Sequence, residues 1–154
     1  MKKVLVVFDT TYGNTEKIGR EIAAGIEETG VVECKVINIK EVENEDLSVY
    51  EGALFGGPIH AFRATSGIKN AVKKAAKKGL DGKLISSFDT YQAASHEGRA
   101  ARQILEMLTK KAKGARVFSP GMTALVLDAK GPLRDGEPEK AREFGQRFAK
   151  KLGE

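Results

Sequence analysis

The sequence predicts a three-layer α/β domain, a parallel five-stranded sheet of order 2-1-3-4-5 with helices on both faces. Three observations lead there. Short apolar runs alternate with segments of helical spacing from one end of the chain to the other, the pattern of βαβ units with right-handed crossovers. The 154 residues suffice for one continuous core, and residues 1–154 read as a single domain. At 41% hydrophobic residues the chain is not disordered, and it carries no repeat and no low-complexity linker.

The elements follow in order. Val4-Leu5-Val6-Val7-Phe8 forms the end of a first strand from Lys3. Ile18, Ile22 and Ile26 recur at helical spacing, so a helix runs from Asn14 to Glu28, capped by Asn14 or Thr15 and ended by Gly30. Glu33 to Asn38 alternates like an edge strand. Lys40 to Tyr50 is acidic and predicts a loop with one helical turn. A third strand, Gly52 to Gly56, is closed by Gly57-Pro58. The next helix, Thr65 to Lys78, starts on Thr65 or Ser66 and stops at Gly79. Lys83 to Phe88 is the fourth strand, followed by a helix from His96 to Lys113 with Ala101, Ile104, Leu105, Leu108 and Ala112 on one face. The fifth strand starts at Ala115, breaks at Ser119-Pro120-Gly121 and resumes from Thr123 to Leu127. After a turn at Gly131–Gly136, Pro138 opens the last helix, whose buried face is Ala141, Phe144, Phe148 and Leu152.

In a sheet of this order ligands bind at the carboxyl ends of the strands, where the winding reverses between strands 1 and 3. The loops after strands 1, 3 and 4 therefore converge, and these loops carry the chemistry. Asp9-Thr10-Thr11-Tyr12-Gly13-Asn14-Thr15 joins a strand to a helix N-terminus, whose unpaired N–H groups and positive dipole end attract anions. Threonine and asparagine add donors, and Gly13 permits close backbone approach. The turn lacks the lysine of a nucleoside-triphosphate loop, the G-x-G-x-x-G of a dinucleotide fold and the cysteine of a low-molecular-weight phosphatase. A hydroxyl-rich cradle of this kind suits a monophosphate that is held rather than transferred. The alternative is an ordinary strand-to-helix turn with a good cap.

The run Phe8-Asp9-Thr10-Thr11-Tyr12-Gly13-Asn14-Thr15-Glu16-Lys17-Ile18 resembles the FMN-phosphate loop of the flavodoxin family. The pattern hydroxyl-x-Thr-Gly-x-Thr falls on Thr10, Tyr12, Gly13 and Thr15, with Tyr12 in place of the usual threonine. Gly56-Gly57-Pro58-Ile59-His60 is similar to the second flavin loop, and Phe88-Asp89-Thr90-Tyr91 stands where the third begins. The resemblance spans nearly the whole chain. It implies FMN as cofactor, with Thr10, Thr11, Tyr12, Gly13, Asn14 and Thr15 around the phosphate. Pro58, Ile59, His60, Ala61 and Phe62 would border the ring on one side, and Asp89, Thr90, Tyr91, Gln92 and Ala93 on the other. His60 and Phe62 are candidates for a flat face, since the tryptophan often used by the family is absent here, and Tyr91 is a candidate for the outer face. Asp9 is structural or points at the ribityl chain, and Arg63 anchors its loop or reaches a partner. A phospho-acceptor receiver domain shares the strand order but needs an aspartate at the end of strand 3, where this chain reads Gly56-Gly57-Pro58.

The implied function is a small soluble electron carrier with a redox partner protein. The alternatives are an FMN-dependent NAD(P)H:quinone or metal reductase on the same scaffold, and a flavin-less adaptor with a basic partner-binding surface. Flavodoxins are typically acidic, whereas this chain carries a formal charge of +5 and an isoelectric point near 9.3, so an acidic partner is expected. Nucleic acid is disfavoured, because aromatics make up only 6% of the chain and none interleaves the lysine run Lys73-Lys74, Lys77-Lys78. A single cysteine, Cys34, allows no internal disulfide and reads as a small apolar residue. No stretch approaches the ~20 apolar residues of a membrane span, and Met1-Lys2-Lys3 leads straight into a strand rather than a signal sequence. A cytoplasmic protein, monomeric or homodimeric, is the expectation.

Overall fold

In the computed structural model, which describes Met1–Glu154, the first apolar run is the centre of the sheet. β1 (Lys2–Phe8) leads into α1 (Asn14–Glu27), and β2 (Val32–Asn38) forms one edge. Two short 3-10 turns, Ile39–Asn44 and Leu47–Val49, replace the expected loop and deliver the chain to β3 (Gly52–His60). A two-residue strand β4 (Arg63–Ala64) precedes α2 (Ser66–Lys78), which Thr65 caps through its hydroxyl. Then come β5 (Leu84–Tyr91), α3 (Arg99–Lys111), β6 (Arg116–Val117), β7 (Met122–Leu125) and α4 (Glu137–Leu152).

The sheet order is β2-β1-β3-β5-β6, with β7 pairing β5 farther along the same edge. β6 and β7 together are the split fifth strand, so the predicted order 2-1-3-4-5 holds. β6 pairs with β5 at Leu84 and Ile85, and β7 pairs with it from Phe88 to Tyr91. Every pairing is parallel except the β3–β4 hairpin.

Successive β1 side chains serve opposite cores, as strand geometry requires. Val4 and Val6 pack with Leu54 and Phe88 beneath Ile18, Ile22, Phe144 and Phe148 of α1 and α4. Leu5 and Val7 pack with Phe55 and Ile85 against Ile68 and Val72 of α2 and Ile104 and Leu108 of α3. Cys34 is half-buried on the edge strand, and burial with the nearby Glu27 carboxylate pushes its thiol up to about 12. Such a thiol stays protonated and inert.

Two strands run past their expected ends. β3 continues through Gly57-Pro58 to His60, and β5 continues to Tyr91. Beyond Gly56 the strand has left β1: Gly57 and Pro58 pair with Asp89 and Thr90 of β5, and Ile59 and His60 pair with β4. A proline on that free side removes no ladder hydrogen bond. The α3 helix also starts later than expected, at Arg99 after Gly98 in a left-handed conformation (φ 73°), with His96 left in a separate turn, Ala94–His96.

Candidate functional site

The carboxyl ends of β1, β3 and β5 open on a cleft of about 210 Å³. Its first wall is the turn between β1 and α1. Thr10 Oγ1 accepts a hydrogen bond from the Gly13 N–H at 2.8 Å, folding the turn on itself. Gly13, at φ 93°, takes a conformation that costs a side chain strain and stands at the helix N-cap position. No side chain caps α1, and the first helical bond runs from Lys17 N–H to Gly13 C=O. The N–H groups of the first turn thus lack a protein acceptor beside the cleft.

The expected caps are engaged elsewhere. Thr15 Oγ1 lies 2.8 Å from Thr90 Oγ1, tying α1 to β5. Asn14 is buried, with its amide against Gly131. Thr10, Thr11, Tyr12, Asn14 and Thr15 line the cleft, while Gly13 shapes the turn without lining it. Tyr12 stands 54% exposed at its mouth. Asp9 turns away from the cleft, accepting from the Thr65 hydroxyl at 2.5 Å and so fixing the start of α2.

Pro58, Ile59 and His60 form the second wall, and His60 Nε2 sits 3.4 Å from Thr11 Oγ1. The remaining residues of this loop do not line it. Ala61 and Phe62 are the tip of a hairpin closed by the His60–Arg63 pair. Both have positive φ, 49° and 69°, the geometry of a tight turn that favours Asn-Gly. Phe62 is 61% exposed and meets the His96 ring edge-on at 4.6 Å, joining two loops at the rim. Replacing Ala61-Phe62 by Asn-Gly should relieve the strain at little packing cost. The double variant is expected to gain about 1 kcal/mol in denaturant unfolding; a loss would show that Phe62 docks more firmly than its exposure indicates.

The third wall contains Thr90, Tyr91 and Gln92. Tyr91 ends β5 as a buried wall residue, not an exposed lid, and burial raises its hydroxyl above the usual range. Ala93 lies past the cleft and leads into the turn holding His96. The Asp89 side chain projects from the opposite face of the sheet, away from the cleft. It accepts from the Ala101 N–H at 2.9 Å and from the Thr123 hydroxyl, pinning α3 and β7 to β5. The alternation of a strand that runs on to Tyr91 explains this: Thr90 faces α1, so Asp89 must face α3.

Burial pushes the Asp89 carboxyl up to about 6 despite these donors. The folded state therefore holds a proton that the unfolded chain, near ~4, releases first. The sign follows: this group's contribution is greatest below pH ~4 and declines as pH rises to about 6. Asp89→Asn keeps an acceptor for Ala101 and removes the buried charge. It is expected to raise stability at pH 7 by about 1–2 kcal/mol and flatten the profile between pH 4 and 6; an unchanged slope in urea melts across that range would contradict this.

A fourth wall comes from the segment after β7, which the sequence reading missed. Val126, Asp128 and Ala129 line the cleft. Val126 bridges Leu133 antiparallel, and Leu127 N–H donates to Pro132 C=O at 2.9 Å, making a tight loop. Glu137 secures its far end. Burial opposes its charge, but the Leu125 N–H, Lys140 at 2.9 Å and Arg134 at 3.4 Å hold its carboxyl below the usual range. The signal was topological: the last strand ends on the same rim as the others.

The domain is doubly wound, and its hydroxyl-lined cleft lies at the switch point of the sheet, where ligands of this architecture bind. Comparison with known proteins narrows the class. A family model described as a flavodoxin domain matches residues 5–128. A flavodoxin of Clostridium saccharobutylicum is 29% identical over 157 aligned positions, covering 97% of each chain. In fold, the chain superposes on an archaeal flavodoxin with TM-score 0.85 at 22% identity, covering 99% of both. It also superposes on the flavodiiron protein of Giardia intestinalis with TM-score 0.80 at 21% identity, there covering 36% of the longer chain. The chain belongs to the flavodoxin domain family.

Proposed function

We propose that this protein binds FMN and serves as a small electron carrier. The observation that carries the reading is the uncapped N-terminus of α1 opening into a cleft walled by the carboxyl ends of β3 and β5 and by the segments that follow β1 and β7. First-turn N–H groups without a protein acceptor, flanked by threonine hydroxyls, fit a phosphate monoester. A full-length flavodoxin relative supports the same assignment.

In this reading Thr10, Thr11 and Thr15, with the N–H groups of Asn14 and Thr15, hold the phosphate. Gly13 lets the backbone approach it, and Tyr12 shields the mouth. Pro58, Ile59 and His60 border the ring on one side, while Thr90, Tyr91 and Gln92 offer a flat wall and polar groups on the other. Phe62 and His96, joined edge to face, form an apolar rim that limits water at the exposed ring edge. Asp89 and Thr65 work behind the walls, fixing the strands and α2. FMN, when bound, supplies the electron-transfer chemistry. The chain's part is to grip, orient and screen it.

The partner is a redox protein with an acidic face, as the exposed Arg63, Arg99, Lys130 and Arg134 near the loop ends and the net charge of +5 favour. No helix is long and apolar enough to cross a membrane. The test is colour. Protein soaked in excess FMN and freed of unbound ligand is expected to be yellow, with bands near ~370 and ~450 nm, a general property of oxidised flavin. Colourless protein with no calorimetric heat would reject the reading in favour of an adaptor domain. Prompt bleaching by NAD(P)H alone would favour a reductase.

A further inference from the structure

We propose that Lys130, on the loop after β7, is a dedicated cation for the phosphate of the bound ligand. It thereby makes the site selective for the phosphate ester over the neutral flavin. The inference rests on the FMN reading above and adds a residue to it.

The cradle itself contains no cation. Its groups are hydroxyls and N–H donors, and the acid in the first turn of α1, Glu16, is paired with Arg20 at 2.8 Å. Of the other nearby acids, Asp9 is turned to Thr65, and Asp128 accepts from the Ala129 N–H at 2.8 Å within its own loop. Lys130 is exposed and forms no ion pair, and its Nζ lies 5.9 Å from the centre of the Tyr12 ring. At that range a cation–π contact is weak, so a phosphate dianion can draw the ammonium away.

The loop is held in place for this role. Gly131 N–H donates to Asp128 C=O at 3.0 Å, and the Val126–Leu133 bridge closes the base. Gly131 has φ +113°, and a β-carbon there would lie 3.1 Å from Asn14 Oδ1, so the loop rests on the first residue of α1. The backbone that carries Lys130 is thereby seated beside the helix end, and only the flexible side chain has to move.

The test compares dissociation constants of FMN and riboflavin for wild-type, Lys130→Gln and Lys130→Arg apoprotein, read by flavin fluorescence at two salt concentrations. Lys130→Gln should weaken FMN by about three- to tenfold, the scale of one partly screened charge, and reduce its salt dependence. Riboflavin should be unaffected, and Lys130→Arg should restore FMN affinity. If FMN affinity is unchanged, or both flavins weaken equally, Lys130 carries no charge role and the proposal falls while the FMN site stands. If wild-type protein binds neither flavin, or prefers neither, the cradle reading itself fails and takes the proposal with it.

Discussion

Gly145→Ala is expected to destabilise the protein by about 3 kcal/mol or more, lowering the melting temperature by roughly 10 °C. Helices α1 and α4 cross at two glycines. A β-carbon on Gly145 would sit 2.1 Å from the Ile22 carbonyl oxygen, and one on Gly25 would sit 2.0 Å from the Arg142 carbonyl oxygen. These neighbours are backbone, so no rotamer change relieves the overlap. The helices must separate, opening the layer of Ile18, Ile22, Phe144 and Phe148 beneath them. Gly25→Ala should behave alike. Gly153→Ala is the control: at φ −78°, with its nearest neighbour 3.6 Å away, it should stay within about 0.5 kcal/mol of wild type. Thermal melts that place Gly145→Ala beside Gly153→Ala would contradict the close crossing. The site shares this dependence, since α1, which carries one wall of the cleft, packs between the sheet and α4.

The second large effect falls on binding. Thr11 is exposed on the cleft wall, so Thr11→Asp should fold normally. It places a negative charge within the cradle. Against a phosphate dianion a few ångströms away at intermediate dielectric, the repulsion is on the order of 2–3 kcal/mol, about a hundredfold loss in FMN affinity. Riboflavin, lacking the phosphate, should bind the variant about as well as wild type. Calorimetric titration of both ligands checks this, and equal losses would mean that the carboxylate disturbs the ring site rather than the phosphate.

The fold was readable because its determinants are local. Ile18, Ile22 and Ile26 mark a helix face, Val4 to Phe8 a buried strand, and Ser119-Pro120-Gly121 the gap between β6 and β7. The lengths of β3 and β5 were not readable, because Gly57-Pro58 and Asp89-Thr90 look like loop residues. What makes them strand is a neighbour distant in sequence, with Pro58 opposite Thr90 and Asp89 opposite both Gly57 and Thr123. That lengthening moved Asp89 out of the cleft, since each added strand residue fixes the face of the next. That the turn between β1 and α1 would line the cleft was legible from its place after the first strand and from its hydroxyls. Its cap was not: the choice of Gly13 over Asn14 or Thr15 depends on Thr15 meeting Thr90 and Asn14 meeting Gly131. The fourth wall was missed for the same reason, since Asp128 and Ala129 show no motif and reach the cleft only through topology.

A crystal structure of the protein soaked with FMN tests the central claim most directly. Phosphate density is expected at the N-terminus of α1, within hydrogen-bond reach of the Asn14 and Thr15 N–H groups and the threonine hydroxyls, with the ring between His60 and Tyr91. Phosphate density elsewhere, or a cleft that stays empty in crystals grown with excess FMN, would contradict it.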